Sequence, residues 1–245
     1  MIETHSYPFG LSIVLPAYNE EDNIATAIAR CITVLEQLHL PHEIIVINDG
    51  SKDQTWAQCR EQAARHTQVR VLDFERNRGY GVALSTGLQS AKYNMVFYTD
   101  SDNQFDVSEL KYLLPITDSY DLVVGFCIYR YDLPLRLFLS WGYNMLIRLL
   151  FRIRLHDVDC SFKLMRREIF DVIQLEARDF FIDTEIILKA NRLGYRINEV
   201  GVRHYPPHGR AYDGAAERYS AHAAHARTHL AQRAAAQARH EISAR

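Results

Sequence analysis

Strand-like and helix-like segments alternate along the first hundred residues, and this alternation constrains the fold more than any other feature. Short apolar runs rich in β-forming residues predict strands at 11–15, 43–47, 69–74 and 95–98. The first intervening helix is expected to begin after Asn19, a good N-cap residue, and to run to about Leu38. Strands that alternate with helices build parallel sheets with right-handed crossovers. The sequence therefore predicts an α/β fold whose doubly wound, mostly parallel sheet is flanked by helices.

Each of these predicted strands is followed by polar residues. Ligands of open α/β sheets bind outside the carboxyl ends of the strands. Side chains that follow different strands should therefore converge on one rim of the sheet, namely Tyr18, Glu20, Asp49, Asn77 and Asp100. Polar residues are ordinary in loops, so it is the combination, and no single member, that indicates a binding site.

Two carboxylates follow the fourth strand within residues 93–106, which read YNMVFYTDSDNQFD. A hydrophobic strand that ends abruptly in acidic residues is typical of a buried parallel strand with polar chemistry at its carboxyl end. In extended chain, Asp100 and Asp102 would point the same way and could hold one divalent cation, with Gln104 as a further oxygen ligand. The alternative is a simple turn, because aspartate favours turns and caps.

A loop with two glycines, residues 76–81 (RNRGYG), precedes the third predicted helix. It lacks the third glycine of a dinucleotide-binding fingerprint, and the sequence has no Walker-type GK[ST] motif. Ordinary dinucleotide and P-loop binding are therefore disfavoured. A phosphate group held through a metal ion remains as the alternative.

The composition limits the class of protein. A chain of 245 residues with 48% hydrophobic and 24% charged residues suits one sizeable α/β domain, and a net charge of −2 gives no nucleic-acid footprint. The four cysteines lie far apart, which favours free thiols in a reducing compartment over a disulfide framework or a zinc site. The N-terminus lacks a signal-peptide pattern. The longest uncharged apolar stretch has 11 residues, whereas a membrane span needs about 20, so we expect a protein that is soluble or lies on a membrane surface.

Residues 133–155 form a segment rich in Leu, Phe, Trp, Ile and Met. Polar residues recur in it at every fourth position: Arg136, Ser140, Asn144, Arg148 and Arg152. On a helix this spacing makes one narrow polar stripe on an otherwise apolar surface. Together with Trp141 and Phe138, a basic stripe fits a segment that lies in a bilayer interface. An amphipathic helix that covers the sheet or contacts a second copy fits the same pattern.

The remainder of the second half is less regular. The patterns predict a helix over 106–114, a strand at 121–124, a strand with Lys163 on its polar side, a helix over 180–193 and a last strand within 195–205. The helix over 180–193 contains Asp183 in its first turn. Residues 211–245, rich in Ala, Arg and His, have little apolar surface and predict a helical or frayed tail. We expect one domain over 1–210, with the segment 133–155 inside it.

Six segments in this order resemble glycosyltransferase family 2, whose members have the GT-A fold. The segments are SIVLPAYNEEDNI, EIIVINDGSKDQT, RNRGYGVALSTGL, YTDSDNQFD, DVDCSFKLMRR and FIDTEIILKANRLGYRINEVGVRHYP. Within the family, they are most similar to the dolichyl- and polyprenyl-phosphate sugar synthases. The resemblance extends from about Leu11 to Tyr205.

The resemblance implies a nucleotide diphosphate-sugar donor across the first four strand ends. Pro16, Tyr18 and Glu20 would line the base and ribose, Asp49 would read the base edge, and Asn77 would lie on the same rim. Asp100, Asp102 and Gln104 match the family's metal-binding motif, which implies Mg²⁺ or Mn²⁺ bridging the diphosphate as a Lewis acid. Hard oxygen ligands independently suit these ions better than zinc.

The resemblance also implies a polyprenyl-phosphate acceptor and inversion at the anomeric carbon. A phosphate monoester is already anionic near neutral pH, since its second pKa is about 6, so no strong base is required. Asp183 matches the position of the base in relatives with hydroxyl acceptors, although a helix N-terminus is by itself a structural reason for aspartate. Arg130, Arg136 and Lys163 are the expected phosphate-binding cations. The residues expected to act in catalysis are Asp102, Asp183, Arg130 and Lys163.

The sequence departs from the family pattern at two positions. Cys127 and Pro207 stand where relatives often have arginine, with Arg130 and Arg210 as potential substitutes. His204 could complete a metal shell or serve as a structural hydrogen-bonding group. A hydroxyl acceptor and a catalytically silent nucleotide-sugar scaffold therefore stay open as alternatives. The leading expectation is an enzyme bound peripherally at the cytoplasmic face of the cell membrane. A homo-oligomer is an open alternative to a single copy.

Overall fold

A seven-stranded sheet forms the centre of the protein. The computed structural model describes residues 9–128, 134–151, 153 and 155–206, with the side chains of all of these except 134–139. The strands are β1 Leu11–Ala17, β2 His42–Asn48, β3 Val69–Asp73, β4 Met95–Thr99, β5 Leu122–Cys127, β6 Phe162–Arg166 and β7 Ile197–Val202. They lie in the order β3-β2-β1-β4-β6-β5-β7.

The sheet is mostly parallel. β1 pairs in parallel with β2 and β4, β2 with β3, and β5 with β7, whereas β6 runs antiparallel to both of its neighbours. The carboxyl ends of six strands therefore lie on one edge, and β6 begins at that edge. This architecture confirms the predicted α/β fold class with a mostly parallel sheet.

Helices cover both faces of the sheet. They are α1 Ile24–Leu38, α2 Thr55–Arg65, α3 Tyr80–Ser90, α4 Leu110–Leu113, α5 Pro134–Phe151, α6 Ile169–Val172 and α7 Ile182–Arg192. Side chains of β1 alternate between two cores, because successive residues of a strand point to opposite faces. Ile13 packs with α1 in one core, and Val14 packs with α3 and α7 in the other.

Two predicted helices have different bounds in the structure. α1 begins at Ile24, so the prediction that Asn19 caps it was wrong. Asn19 instead adopts a left-handed conformation with φ 55°, and its side-chain Oδ1 accepts a hydrogen bond of 2.9 Å from the Lys52 amide. The helix predicted over 106–114 is broken into 3₁₀ turns at Val107–Glu109 and Leu114–Ile116 on either side of α4.

In the amphipathic helix α5, Asn144 in the middle of the polar stripe faces the protein. Asn144 is 4% exposed, and its Oδ1 accepts a hydrogen bond of 3.0 Å from the Val158 amide. Apolar side chains face outward instead, including Trp141, Leu146, Leu149 and Leu150, which are 51–76% exposed. The described part of the chain contains no helix with the length and apolar character that crossing a membrane requires.

Several predictions fall on residues outside the described ranges. These are the tail 211–245 with the domain boundary before it, the cation Arg130, the departure Pro207 and its potential substitute Arg210. The side chains of Arg136 and Arg152 in the polar stripe are likewise outside the description.

Candidate active site

A pocket of about 480 Å³ opens at the carboxyl ends of β1, β2 and β4. Its lining brings together all seven residues expected at the donor and at the carboxylate pair: Pro16, Tyr18, Glu20, Asp49, Asn77, Asp100 and Asp102. Residues that the sequence reasoning did not single out complete the wall: Ala17, Gly79, Tyr80, Ala83, Ser101, Arg178, Asp179 and Phe180. The convergence on one rim follows from the parallel arrangement of the strands.

Asp100 is held by two hydroxyl groups. The Tyr80 hydroxyl donates a hydrogen bond of 3.0 Å to one carboxylate oxygen, and the Ser161 hydroxyl donates to the other. Ser161 lies just before β6 and Tyr80 begins α3, so two separate elements fix this side chain. A carboxylate fixed in this way is ready to bind a ligand without further ordering.

Asp102 reaches the pocket by a bend, which corrects the expectation that the extended strand continues. The strand ends at Thr99, and Asn103 has a left-handed conformation with φ 61°. The Gln104 amide donates 3.0 Å to Asp102 Oδ1, which closes a local turn of the kind aspartate favours. The two interpretations of this motif, a pair of carboxylates at one site and a simple turn, are therefore compatible, because a turn brings Asp102 to the pocket that Asp100 also lines.

Gln104 contacts Asp102 through its side chain as well. Its Nε2 donates to Asp102 Oδ2, and Gln104 is not among the residues that line the pocket. In this arrangement the glutamine orients the carboxylate. The predicted role of Gln104 as an oxygen ligand would require its side chain to turn.

The pocket is strongly acidic. The described residues of its lining include five carboxylates, Glu20, Asp49, Asp100, Asp102 and Asp179, and one cation, Arg178. Burial, followed by the charge of Asp102, raises the pKa of Asp100 to about 7. Burial also raises the pKa of Glu20, with Asp102 adding to it and the hydrogen bond from Asn23 opposing it. An anionic ligand would be repelled here unless a cation accompanied it.

The carboxylate pair fits a hard divalent cation. Asp100 and Asp102 both line the pocket, and burial first, then the charge of Asp102, raises the pKa of Asp100. Mg²⁺ and Mn²⁺ prefer oxygen ligands and commonly bind through one or two carboxylates plus substrate phosphates. The chemistry of the residues present therefore suits either ion.

Asp49 is used to shape the glycine loop. Its carboxylate is 3% exposed and accepts hydrogen bonds of 2.7 Å from the Arg78 amide and 3.0 Å from the Gly79 amide. Both oxygens thus bind backbone of the loop that leads into α3. This placement favours a structural role over the predicted reading of a base edge.

The glycines of this loop allow a second segment, residues 175–181, to approach closely. Gly79 has φ 99°, and a Cβ atom on Gly81 would lie 2.3 Å from the Ala177 carbonyl oxygen. The Gly81 amide donates 3.0 Å to the Arg178 carbonyl. The contact carries Arg178, Asp179 and Phe180 to the pocket, which sequence reasoning missed.

An aromatic pair and a glutamate fasten this segment. The ring of Phe180 stacks on Tyr80 with centroids 4.8 Å apart. Glu185 in α7 accepts hydrogen bonds of 3.0 Å from the Glu176 amide and 2.9 Å from the Ala177 amide. In the sequence, the available signal for this contact was a tyrosine between two glycines. Glycines allow two backbones to approach closely, and an aromatic ring beside such a contact can pack on the approaching segment.

Lys163 and Asp183 form a buried ion pair that does not line the pocket. Lys163 is 0% exposed, and its Nζ lies 2.6 Å from Asp183 Oδ1. The Tyr98 hydroxyl also donates to Asp183, which is 3% exposed. The structure thus does not bring these two residues to the donor pocket, and their mutual contact favours the structural role for Asp183 that the sequence left open.

His204 lies beside the turn that carries Asp102. It forms a β-bridge with Phe105, and the two rings have centroids 4.9 Å apart. The next residue, Tyr205, donates 2.7 Å from its amide to the Gln104 carbonyl. His204 does not line the pocket, so its contacts favour the structural alternative over a metal ligand.

Comparison with known proteins gives a consistent set of relatives. Residues 12–174 match the model of "Glycosyl transferase family 2". The chain is 30% identical over 217 residues to a dolichyl-phosphate beta-glucosyltransferase of Drosophila melanogaster, covering 79% of this chain and 66% of that one. It is 31% identical over 171 residues to a dodecaprenyl-phosphate galacturonate synthase of Rhizobium johnstonii, covering 67% of this chain and 50% of that one. Among the first curated relatives it matches, the chain spans between 32% and 66% of their length.

The solved structures give a matching fold. Glucosyl-3-phosphoglycerate synthase of Mycobacterium tuberculosis, crystallised with Mn²⁺, uridine diphosphate and phosphoglyceric acid, superposes with a TM-score of 0.66. The alignment covers 83% of this chain and 72% of that one at 21% sequence identity. This likeness confirms the predicted GT-A fold.

Proposed function

The chain belongs to glycosyltransferase family 2, and on that basis we propose that it transfers a hexose from a nucleotide diphosphate-sugar to a polyprenyl phosphate. The reaction is metal-dependent and inverts the anomeric carbon. Relatives in two organisms are named for transfer to dolichyl or dodecaprenyl phosphate, which supports this class of acceptor.

One observation carries the proposal: Asp100 and Asp102 line the same 480 Å³ pocket as the ends of β1 and β2. The volume suits a drug-sized or cofactor-sized ligand, for which pockets of about 300–1,000 Å³ are usual. The excess of carboxylates means that a diphosphate requires a divalent cation to enter. A solved structure with the same fold was crystallised with Mn²⁺ and uridine diphosphate, which supports a pairing of this kind.

Different residues of the pocket bind different parts of the donor in this proposal. Tyr18, Glu20 and Asn77 would contact the nucleoside, and Asp100 and Asp102 would hold Mg²⁺ or Mn²⁺. When bound, the ion supplies Lewis-acid stabilisation of the departing nucleoside diphosphate. Tyr80 and Ser161 fix Asp100, and Gln104 fixes Asp102. Arg178, the cation among the described residues of the lining, would pair with a phosphate oxygen.

The buried state of Asp183 favours a phosphate acceptor over a hydroxyl acceptor. A hydroxyl group needs a general base within hydrogen-bond reach, about 2.6–3.2 Å. Asp183 is enclosed and paired with Lys163, and it does not line the donor pocket. A phosphate oxygen is anionic near neutral pH and attacks the anomeric carbon without such a base.

The outward apolar face of α5 supports action at a membrane surface. Leu149 and Leu150 are 76% and 62% exposed, and Trp141, a residue type that favours membrane interfaces, is 55% exposed. Exposed apolar residues grouped on one helix are unusual for a surface in water. We place the enzyme at the cytoplasmic face of the cell membrane, bound peripherally through this helix.

A donor screen tests the proposal directly. The full chain is incubated with Mn²⁺, a short-chain polyprenyl phosphate and a panel of nucleotide diphosphate-hexoses, and products are identified by mass. The proposal expects a hexosyl polyprenyl phosphate from one donor, with no product from the Asp100→Ala/Asp102→Ala variant. A product formed only with a sugar acceptor would overturn the lipid-phosphate assignment, and equal turnover by the variant would overturn the metal role.

A further inference from the structure

Three potential metal ligands meet outside the donor pocket, at the carboxyl end of β5. Cys127 ends β5, and Asp157 and Cys160 lie in the segment that precedes β6. Their ligand atoms, two Sγ and one carboxylate oxygen, all lie within 4.8 Å of one another. Asp157 and Cys160 are 4% and 3% exposed, and Cys127 is half-buried. The cluster was not anticipated from the sequence, because its cysteines lie 33 positions apart.

We propose that Cys127, Asp157 and Cys160 form a binding site for a thiophilic divalent cation, Zn²⁺ being the physiological candidate. Two sulfurs and a carboxylate are a ligand set that zinc accepts in tetrahedral geometry. Zn–S bonds of about 2.3 Å place two sulfurs about 3.8 Å apart, which small side-chain rotations reach from the observed spacing.

The site differs in chemistry from the carboxylate pair of the donor pocket. Thiolates are soft ligands and select zinc over Mg²⁺ and Mn²⁺, which prefer oxygen. Binding forms two metal–sulfur bonds and one metal–oxygen bond, and the two thiol protons leave to solvent. No electron is transferred, so the step requires no oxidant.

A small cavity gives an ion access to the cluster. It has a volume of about 180 Å³, and Cys127 and Asp157 lie in its wall together with Asn144, Arg148 and His156. Water from this cavity can fill the fourth coordination position. An open fourth position is typical of sites with three protein ligands.

An ion bound here would link β5 to the segment that supports Asp100. The Cys160 carbonyl accepts a hydrogen bond from Lys163, and the next residue, Ser161, donates to Asp100. Fixing Cys160 to Cys127 would therefore steady the hydroxyl group that orients Asp100. The three ligands are positioning residues in this account and do not touch the donor.

Cobalt serves as the spectroscopic probe. The full chain, reduced and freed of metal, is titrated with Co²⁺ in the presence of excess Mg²⁺, which competes for the oxygen-lined pocket. We expect one equivalent of Co²⁺ to give a sulfur-to-cobalt charge-transfer band and intense tetrahedral visible bands, which Zn²⁺ then abolishes by displacement. The affinity should fall about a hundredfold or more in Cys127→Ser and in the nearly isosteric Asp157→Asn.

Cys31→Ala is the matched control, since Cys31 is a fully buried thiol in the core beneath the sheet and contributes nothing to the cluster. This variant should bind Co²⁺ like the wild type. Absence of the charge-transfer band in the folded wild type, or an undiminished band and Co²⁺ affinity in folded Cys127→Ser, would overturn the proposal. The readout is spectroscopic, so the test of this metal site does not depend on the transferase activity.

Discussion

The two halves of the sheet place their polar residues differently. In the first half, β1 to β4, the polar residues after each strand converge on one solvent-accessible pocket. In the second half, β5 to β7, Lys163 and Asp183 are enclosed and neutralise each other. β6 runs antiparallel and begins at this same edge, so Lys163, its second residue, lies beside Tyr98 near the end of β4. Lys163 is nevertheless fully buried, because it is paired with Asp183 of α7. A charged residue at this edge therefore belongs to the pocket when it remains accessible, and to an internal ion pair when packing buries it.

The largest effect is expected for Asp102 in the first half. Asp102→Asn keeps the size of the side chain but removes a metal-binding charge, so turnover should fall roughly a thousandfold. Stability should change by less than about 1 kcal/mol, since the side chain is half-exposed. Steady-state kinetics and denaturant unfolding measure the two quantities. The control Asp118→Asn, an exposed acid, should leave turnover unchanged.

A contrasting pattern is expected in the second half. Lys163→Met leaves Asp183 buried and unpaired, so the free energy of unfolding should drop by about 3–5 kcal/mol. Adding Asp183→Leu removes the unpaired charge and should restore most of that loss. Urea unfolding of the single and double variants measures the difference.

The same double variant separates the roles of Asp183. A structural pair predicts that the folded double variant retains substantial activity on a polyprenyl phosphate. A folded but inactive double variant would show that Asp183 or Lys163 takes part in the reaction, and the contrast between the two halves would then fail.

A pair of glycine substitutions sharpens the comparison further. Gly81→Ala would push the Ala177 carbonyl away and loosen the segment bearing Arg178, so stability should fall by about 1–3 kcal/mol and donor affinity with it. Gly142→Ala in α5 meets no atom within 4 Å and should raise stability by about 0.5–1 kcal/mol. Thermal unfolding with and without donor reports both effects. Equal responses at the two positions would contradict the packing described for the glycine loop.

The smallest effect is expected for Tyr80→Phe. It removes one hydrogen bond of 3.0 Å to Asp100 and keeps the ring that stacks on Phe180. Loss of one such bond is worth about 0.5–1.5 kcal/mol, so metal affinity should weaken roughly threefold to tenfold. Titration of Mn²⁺ in the presence of a nucleoside diphosphate measures it. An unchanged affinity would indicate that Ser161 alone orients Asp100.

Sequence patterns predicted the first half of the molecule well, because local residue patterns determine its strands and their order. The apolar runs gave β1 to β4, and their order in a parallel sheet gave the pocket that holds Tyr18, Asp49 and Asp100. The patterns could not predict contacts that join distant segments. The approach of residues 177–178 to Gly81, the pairing of Lys163 with Asp183 and the meeting of Cys127 with Cys160 all depend on tertiary packing.

The central claim is that Asp100 and Asp102 bind a divalent cation which in turn admits a nucleoside diphosphate to the acidic pocket. Calorimetric titration of a panel of nucleoside diphosphates, with Mn²⁺ and with a chelator, tests it most directly. We predict that at least one of them binds the wild-type chain with Mn²⁺ and weakens at least about a hundredfold with chelator or in Asp100→Ala/Asp102→Ala, the loss of about 2.7 kcal/mol expected for a missing ionic contact. Equal affinity with and without metal, or in the variant, would contradict the account.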